Sequence, residues 1–427
     1  VINGKTYCFD EDGKMQYGWV KKDDGVTNYD DNAYQECDYY FGDENDGAMS
    51  VGWREIALTD VADADTEQPG DSYWDSDQVR WFYFKSSGVK QTSSTNKTIN
   101  GRKYGFDEWG RMIADWHAAT ANNADNELSR RGSMNNATVA ATKSYAREFM
   151  YFSSPEDGAR FTKGWFKVVP GYYLNYKDYD DGTDRWYYAN GDGKIAAGEI
   201  KAIKGKKYAF DLKGGMISGL ALLRTNGKEI SEYADSDGKY DSQESFETTA
   251  RSMGSDWGFY YFSDNEDKDG SMKTGNQRIS LDGENFTFSF RKGGTRKGQG
   301  ITGVNEKKYY LGGMLMTASV DNKIELLNKN TLERVTVDKF VRDNGLVGKD
   351  VTSGKVGQAN KDDVVYTDGT TGTSGTATGL DITSLTSDYV VINVSGNVVK
   401  SGSKVDGDGY KVVLDGNNKV KQIIATN

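Results

Sequence analysis

The sequence contains little proline, cysteine or histidine. Its 427 residues include 3 Pro, 2 Cys and 1 His. The single histidine, His117, has no Gly-x-Ser-x-Gly nucleophile motif beside it, so catalysis by a Ser-His or Cys-His pair has almost no basis. The chain also lacks the Cys and His spacing of zinc sites, the phosphate-binding loop and the dinucleotide fingerprint. The sequence therefore predicts a protein that is not an enzyme and has no cofactor or metal.

Acidic residues leave one catalytic alternative open. The chain has 64 Asp and Glu, and glycoside hydrolysis requires only a pair of carboxylates. Most of these acids fall in turns, where Asp is favoured because it hydrogen-bonds to the backbone. We therefore prefer a turn-forming role for them. The same preference applies to two segments that partly match a calcium-binding loop, 233–244 and 265–276.

Clusters of basic residues and long apolar runs are also missing. The formal net charge is −11, and Lys and Arg form no stripe that could follow a phosphate backbone, so we expect no nucleic-acid partner. No run of 18 apolar residues occurs, so we expect no membrane insertion. The chain shows no leader peptide and opens inside a repeat, from which we expect an expressed fragment or a mature region.

The two cysteines, Cys8 and Cys37, allow two interpretations. A disulfide between them would indicate an oxidising compartment. Two unpaired thiols that pack as small hydrophobic side chains are the alternative, and we favour it because sequence spacing does not establish the geometry of a bridge.

Glycine and aromatic residues, by contrast, are abundant and recur in a long repeat. The chain has 51 Gly, 27 Tyr, 17 Phe and 9 Trp. The segment 2–15 returns at 99–112 and at 203–216, a weaker copy begins at Ile301, and a remnant begins at Val405. Successive copies begin about 100 residues apart, and a fixed period is the signature of a repeat architecture.

Each period contains three hairpin-like units. Aromatic runs such as 81–84 and 149–152 have the composition of strands, and Asn-Gly and Asp-Gly steps suit tight hairpin turns. A single hairpin is marginally stable in water, so stacked hairpins must bury one another's aromatic faces. We therefore predict an all-β fold, a solenoid of short β-hairpins with about three hairpins per superhelical turn.

The regularity of the repeat divides the chain into two parts. We predict well-formed hairpin repeats over 1–316 and a degenerate continuation of the same solenoid over 317–427. Irregular, partly helical insertions are predicted over 20–36, 54–80, 117–147, 221–256 and 317–362. Within them, parts of 117–147 and 321–345 are expected to be helical, and 323–327 is the clearest case.

The repeat resembles a known family. The pattern Ile-Asn-Gly-Lys-x-Tyr-x-Phe-Asp-x-x-Gly-x-Met-x-x-Gly-Trp over 2–19 and the pattern Trp-Tyr-Tyr-x-x-x-x-Gly-Lys over 186–194 are similar to cell-wall-binding repeats. Such repeats occur in choline-binding proteins, glucan-binding proteins and the C-terminal domains of large clostridial toxins. The resemblance implies a secreted protein on the surface of a Gram-positive bacterium, with a cell-wall polymer as partner, either choline-bearing teichoic acid or a glucan.

The resemblance also implies ligand sites. In the family, choline sits in aromatic cages between consecutive hairpins, because a quaternary ammonium is attracted to ring faces and donates no hydrogen bond. A Gly-Trp at the end of one hairpin meets the Trp that opens the next, and another aromatic residue closes the cage. Two such sets are implied here: Trp53 and Trp81 with Tyr104 or Phe106, and Trp165 and Trp186 with Tyr208 or Phe210.

Other positions match the cage pattern less well. Weaker candidates are Trp19 with Tyr39 and Trp116 with Phe149, while matching positions later in the chain hold Asn276, Asn285, Leu380 and Asp388. Two alternatives stay open for the better sets, namely hairpin packing without a ligand and stacking of sugar rings on the same aromatics. A different class of function is a structural stalk or adhesin whose insertions contact a surface protein or a host glycan.

Overall fold

The chain folds as two compact units. The computed structural model describes residues 1–30, 32–58, 78–118, 143–171, 174–234, 239–344, 348–349, 356–357, 364–367 and 385–425. The first unit comprises Val1–Ile217 and Lys228–Ile230, and the second comprises Ser218–Gly227 and Ser231–Asn427. The predicted division into 1–316 and 317–427 stays a prediction.

Six antiparallel hairpins follow one another along the first unit. Their strands are β1 (Gly18–Val20) with β2 (Tyr39–Phe41), β3 (Gly52–Leu58) with β4 (Gln78–Phe84), β5 (Ser94–Ile99) with β6 (Arg102–Phe106), β7 (Asp115–Ala118) with β8 (Phe149–Phe152), β9 (Gly164–Val168) with β10 (Arg185–Ala189), and β11 (Glu199–Ile203) with β12 (Lys206–Phe210). Within the described residues of this unit, three short helices interrupt them: α1 (Ala33–Glu36), α2 (Lys143–Ala146) and α3 (Tyr176–Asp180). The prediction of many small antiparallel hairpins is confirmed.

Two-residue turns close several hairpins, as the Asn-Gly steps predict. Asn100 and Gly101, between β5 and β6, have φ angles of 47° and 80°, and the corresponding Lys204 and Gly205 have 47° and 81°. Positive φ at both positions is the requirement of a type I′ turn, which matches the right-handed twist of the paired strands. Glycine takes the second position because it adopts this conformation without steric cost.

Backbone hydrogen bonds connect successive hairpins of the first unit. The residue that follows each turn donates its amide N–H to a carbonyl at the second strand of the preceding hairpin. The donor–acceptor distances are 2.8–3.0 Å for Lys90 to Asp38, Met112 to Trp81, Arg160 to Lys103, Ile195 to Phe149 and Met216 to Trp186. Each hairpin is therefore held in register on the one before it.

The second unit has larger sheets. Its strands are β13 (Gly219–Asn226), β14 (Glu229–Ala234), β15 (Trp257–Phe262), β16 (Gly275–Leu281), β17 (Glu284–Phe290), β18 (Gly303–Asn305), β19 (Lys308–Leu311), β20 (Met314–Leu315), β21 (Ile324–Asn328), β22 (Arg334–Val335), β23 (Gly348–Lys349), β24 (Val356–Gly357), β25 (Val364–Thr367), β26 (Tyr389–Asn393), β27 (Gly402–Val405), β28 (Tyr410–Leu414) and β29 (Val420–Ala425). Their orders include β16-β17-β20-β19-β18, β22-β21-β26 and β24-β23-β25-β29-β28-β27.

Three helices lie in the described part of the second unit, and the first and third contribute side chains to its hydrophobic clusters. They are α4 (Gln243–Ser252), α5 (Glu266–Asp269) and α6 (Val337–Asp343). Helix α4 begins at a capping box in which the Ser242 side chain accepts a hydrogen bond from the Ser245 amide. Its Phe246 lies among Phe259 and Phe288, and all three are fully buried. No helix in the described ranges is long and apolar enough to cross a membrane.

The predicted helix at 323–327 is wrong. Residues Ile324–Asn328 form strand β21, which pairs with β26, and Leu326 and Leu327 are both fully buried. A short apolar run fits a buried strand as well as a helix, so its pattern does not separate the two. Helix does occur elsewhere in the predicted segments, as α6 and as α2. The larger parts of the insertions 54–80 and 117–147 lie outside the described residues.

The two cysteines are free thiols. Cys8 donates to the Gly25 carbonyl at 3.2 Å, and Cys37 is buried beside Trp19. The disulfide interpretation is therefore wrong for this structure. Of the segments that resemble calcium loops, the one at 265–276 contains helix α5, and Asp269 is paired with Lys273 at 2.6 Å. Part of 233–244 lies outside the described residues.

Candidate functional site

Two consecutive hairpins bring together the first predicted aromatic set. In the hairpin β3–β4, Trp53 lies directly opposite Tyr83, and Trp81 lies two residues earlier on the same strand face as Tyr83. The next hairpin contributes Tyr104 and Phe106, alternate residues of β6 that share a face. We call these five residues the Trp53 cage.

Trp53 lies at the centre of this cage. Its ring centroid is 6.2 Å from Trp81, 5.3 Å from Tyr83, 4.8 Å from Tyr104 and 5.6 Å from Phe106. The two tryptophan rings are nearly perpendicular, at 86°, and both remain half-buried. Tyr104 and Phe106 are buried beneath them. The result is an aromatic corner with two indole rings partly open to solvent.

The second predicted set repeats this geometry. The Trp165 cage consists of Trp165, Trp186, Tyr188, Tyr208 and Phe210. The centroid of Trp165 is 6.4 Å from Trp186 at 84°, 5.2 Å from Tyr188, 4.8 Å from Tyr208 and 5.6 Å from Phe210. Each distance is within 0.2 Å of its counterpart in the Trp53 cage. The structure therefore brings the eight predicted residues together as two sets of matching geometry.

The sequence reasoning missed one ring of each cage and one methionine packed against it. Tyr83 and Tyr188 stand two residues after the second tryptophan, a spacing that places them on its face of the strand. Met112 and Met216 are buried in the same clusters, and their amides bond to the carbonyls of Trp81 and Trp186 at 2.8 Å. The Gly-x-Met at the end of each turn was the available signal.

The aromatic cluster at Trp19 differs from the prediction. Trp19 lies opposite Tyr40, with the ring centroids 5.1 Å apart, whereas Tyr39 packs on Phe41. Its expected partner was therefore wrong by one residue, and a shift of one residue reverses the face of a strand. Phe82 and Phe84 of the next hairpin complete the cluster.

The cluster at Trp116 has ring contacts like those of the cages, and Trp116 is half-buried as their tryptophans are. Phe149 lies 6.4 Å from the Trp116 ring, as the sequence suggested, but Tyr187 and Phe166 approach more closely, at 4.8 Å and 5.8 Å. The indole N–H donates to the Val169 carbonyl at 2.9 Å. Phe149 stands where the cages have their second tryptophan, and the indole N–H is hydrogen-bonded, so Trp116 serves as a control outside the two predicted cages.

The third turn has no aromatic pair at the corresponding positions. Asn276 lies opposite Ser289, and the strand register places Thr287, rather than Asn285, at the position of the second tryptophan. The neighbouring Phe288 is instead buried in the cluster around α4. Of the fourth-turn positions, Leu380 lies outside the described residues.

Charged residues distinguish the two cages. Glu55 lies directly opposite Trp81, whereas Lys167 lies opposite Trp186, with its ammonium 5.9 Å from the Trp186 ring centroid. A carboxylate at the first cage favours a cationic ligand, while an ammonium over a ring competes with one. The two cages are therefore alike in their rings and opposite in their nearest cross-strand charge.

An arginine also borders the Trp53 cage. The Arg102 guanidinium lies 5.9 Å from the Tyr104 ring centroid and makes a bidentate pair with Asp157 at 2.7 Å. The hydrogen bonds from Arg102 hold the pKa of Asp157 below its usual range. This pairing neutralises the arginine at the rim of the cage.

Comparison with curated proteins finds similarity to a streptococcal glucosyltransferase. No family model matches the chain. Glucosyltransferase-S of Streptococcus mutans is 24% identical over 248 residues, which cover 51% of this chain and 14% of that protein. This chain thus spans a small part of the relative's length.

Similar solved structures include choline-binding proteins of Streptococcus pneumoniae. The protein CbpJ is 16% identical with a TM-score of 0.43, and the match covers 98% of this chain and 97% of CbpJ. Choline binding protein F is 16% identical with a TM-score of 0.39, and the match covers 99% of this chain and 100% of that one. The predicted resemblance to choline-binding repeat proteins is confirmed.

Proposed function

We propose that this chain is a non-catalytic binding module for a polymer of the bacterial cell wall or cell surface, and that it acts outside the cell. The Trp53 and Trp165 cages each bind the quaternary ammonium of choline on teichoic acid. The observation that carries this proposal is the twofold occurrence of the same five-ring arrangement with half-buried indoles. A cation gains about 0.5–1 kcal/mol from an exposed ring face and about 2 kcal/mol or more when it is desolvated.

The tryptophans of the two cages are more exposed than the phenylalanines that alternate with them. Phe82 and Phe84, which alternate with Trp81 and Tyr83 along β4, are fully buried. The tryptophans of the two cages stay half-buried although the same strands carry them. Large aromatic side chains left partly open at repeated positions are typical of recognition surfaces.

A repeated backbone contact supports a solenoid. In the first unit, each turn bonds to the second strand of the hairpin before it. This contact is what a solenoid with nearest-neighbour stacking requires. The proposal extends the hairpin solenoid over 1–316 and takes 317–427 as its degenerate continuation.

The only histidine supports a non-catalytic role. The His117 ring packs edge-on to Phe152, with centroids 6.2 Å apart, and burial lowers its pKa to about 4. It is therefore neutral at physiological pH and lies on β7, outside both cages. Neither cage includes His117 among its side chains.

A neutral glucan is the second candidate ligand for the same cages. Sugar rings stack on open indole faces, and Glu55 and Arg102 supply polar groups at the rim of the Trp53 cage. The likeness to a protein named as a glucosyltransferase favours this candidate.

Isothermal titration with choline and, separately, with a soluble glucan tests the proposal. We expect two choline sites per chain in the unaltered protein, one after either Trp53→Ala or Trp165→Ala, and none after both. Trp116→Phe is the matched control and should keep both sites, with circular dichroism confirming that each variant is folded. Heat released by glucan alone would select the second candidate. No heat of binding with either ligand would reject the cages as ligand sites and favour the stalk or adhesin.

A further inference from the structure

The Trp19 cluster is built like the two cages. Trp19 lies opposite Tyr40 as Trp53 lies opposite Tyr83, with ring centroids 5.1 Å apart instead of 5.3 Å. The next hairpin contributes Phe82 and Phe84, whose centroids lie 5.1 Å and 6.2 Å from that of Trp19. Trp19, Tyr40, Phe82 and Phe84 therefore stand at four of the five ring positions of a cage.

Two positions of this cluster carry charge where the cages carry apolar side chains. Asp38 stands two residues before Tyr40, the position that Trp81 occupies before Tyr83. Lys90 stands at the position of Met112, because its amide bonds to the Asp38 carbonyl at 2.8 Å as that of Met112 bonds to Trp81. Asp38 thus replaces the tryptophan of the pattern, and Lys90, of opposite charge, replaces the methionine.

The Lys90 ammonium lies inside the cluster. Its nitrogen is 5.2 Å from the centroid of the Trp19 ring and donates a hydrogen bond to the Tyr34 carbonyl. Lys90 is only 5% exposed. Burial lowers its pKa to about 8, while Asp107 and Asp38 act in the opposite direction, so the side chain remains mostly protonated at neutral pH. A cation held over an indole face is the interaction that a quaternary ammonium makes.

We propose that the Trp19 cluster is a third cation cage whose ligand is built into the chain as the ammonium of Lys90. Lys90 therefore determines how many external ligands this protein binds. Removing the ammonium leaves four aromatic side chains with the Asp38 carboxylate beside them, a combination that favours an external quaternary ammonium. Choline as that ligand rests on the proposed function, whereas the occupancy by Lys90 does not.

Counting choline sites in four proteins tests the inference. They are the unaltered chain, Lys90→Met, Trp53→Ala/Trp165→Ala, and the triple variant that combines all three changes. We expect two, three, zero and one sites respectively by isothermal titration. A gain of one site on Lys90→Met in either background supports the inference, even where the unaltered chain binds none and the proposed function fails. No gain in either background overturns it.

Two further experiments test the inference if the Lys90→Met protein does not fold. Lys90→Gln removes the charge with a polar side chain of similar reach, and the same gain of one site is expected. In the unaltered chain labelled with ¹³C-lysine, the ε-methylene of Lys90 should shift upfield from the other lysines because of the Trp19 ring current, and this signal should vanish in Lys90→Gln. A lysine spectrum without a shifted ε-methylene would overturn the occupancy.

Discussion

The burial of Lys90 predicts a specific dependence of stability on pH. The pKa of its ammonium is lowered from 10.5 to about 8 in the folded chain, chiefly by burial. Between these values the unfolded chain binds the proton and the folded chain does not. The free energy of unfolding therefore rises with pH over this range, because stability increases wherever the unfolded state binds more protons.

The size of the effect follows from the pKa difference. A shift from 10.5 to about 8, at 1.36 kcal/mol per unit, corresponds to about 3 kcal/mol. Below pH 8 the full cost of the buried charge is present, and it disappears as the pH rises to 10.5. Lys90→Met removes this contribution. From pH 7 to 10.5, the free energy of unfolding of the unaltered chain should therefore rise by about 3 kcal/mol relative to that of Lys90→Met.

Other groups around Lys90 must be separated from it. The charges of Asp107 and Asp38 raise the pKa of Lys90 and so act against the effect of burial. Burial raises the pKa of the Cys37 thiol to about 11 and also raises that of Tyr40. Both effects lower stability as the pH rises, and the one at Cys37 differs between the two proteins because the Lys90 ammonium lowers the pKa of that thiol. Repeating the comparison in a Cys37→Ala background removes the thiol altogether.

Urea denaturation of the full chain, followed by tryptophan fluorescence from pH 7 to 10.5, measures the difference. Lys85→Met is the matched control, because Lys85 is an exposed lysine of the same turn. The difference in unfolding free energy between Lys85→Met and the unaltered chain should not change with pH. Equal denaturant slopes in all variants would show that the free energies are comparable. The reasoning would be refuted if the unaltered chain gained no stability relative to Lys90→Met as the pH rises, or lost some.

Three further changes probe the cages and the fold. Glu55→Lys should weaken choline binding at the Trp53 cage a few-fold, and Lys167→Glu should strengthen it at the Trp165 cage by a similar factor; titrations that move the other way would contradict the assigned charges. Gly158→Ala should destabilise the chain by 1 kcal/mol or more, because its φ is 59° and the added Cβ would lie 2.3 Å from the Met112 sulfur. A variant that melts with the unaltered chain would disprove that contact. Ser242→Ala should cost about 1 kcal/mol by removing a helix cap, and an unchanged urea midpoint would argue against the cap.

Local patterns predicted much of the fold. The Asn100-Gly101 step adopts the turn that its composition favours, and aromatic runs such as Phe149–Phe152 form strands. These features depend on residues close together in the chain, so they can be predicted from the sequence. The helix predicted at 323–327 was wrong because this segment forms a strand by pairing with β26, a partner more than 60 residues away.

The candidate site was predictable to the extent that it repeats. The eight aromatic residues of the two cages recur one period apart, and the same hairpin register brings each set together. Tyr39 was mistaken for Tyr40 because two adjacent tyrosines are equivalent in composition and lie on opposite faces of a strand. Only the pairing register distinguishes them.

The sequence by itself determined a chain of β-hairpins with aromatic pairs at fixed spacing, because turn chemistry and strand alternation are local properties. The tertiary structure decided which aromatic clusters are open and which are filled. The indole N–H of Trp116 is bonded to the Val169 carbonyl, and the ring of Trp19 lies under the ammonium of a lysine about 70 residues further along the chain. Contacts between successive hairpins place those groups, and the burial that they create depends on several distant segments at once.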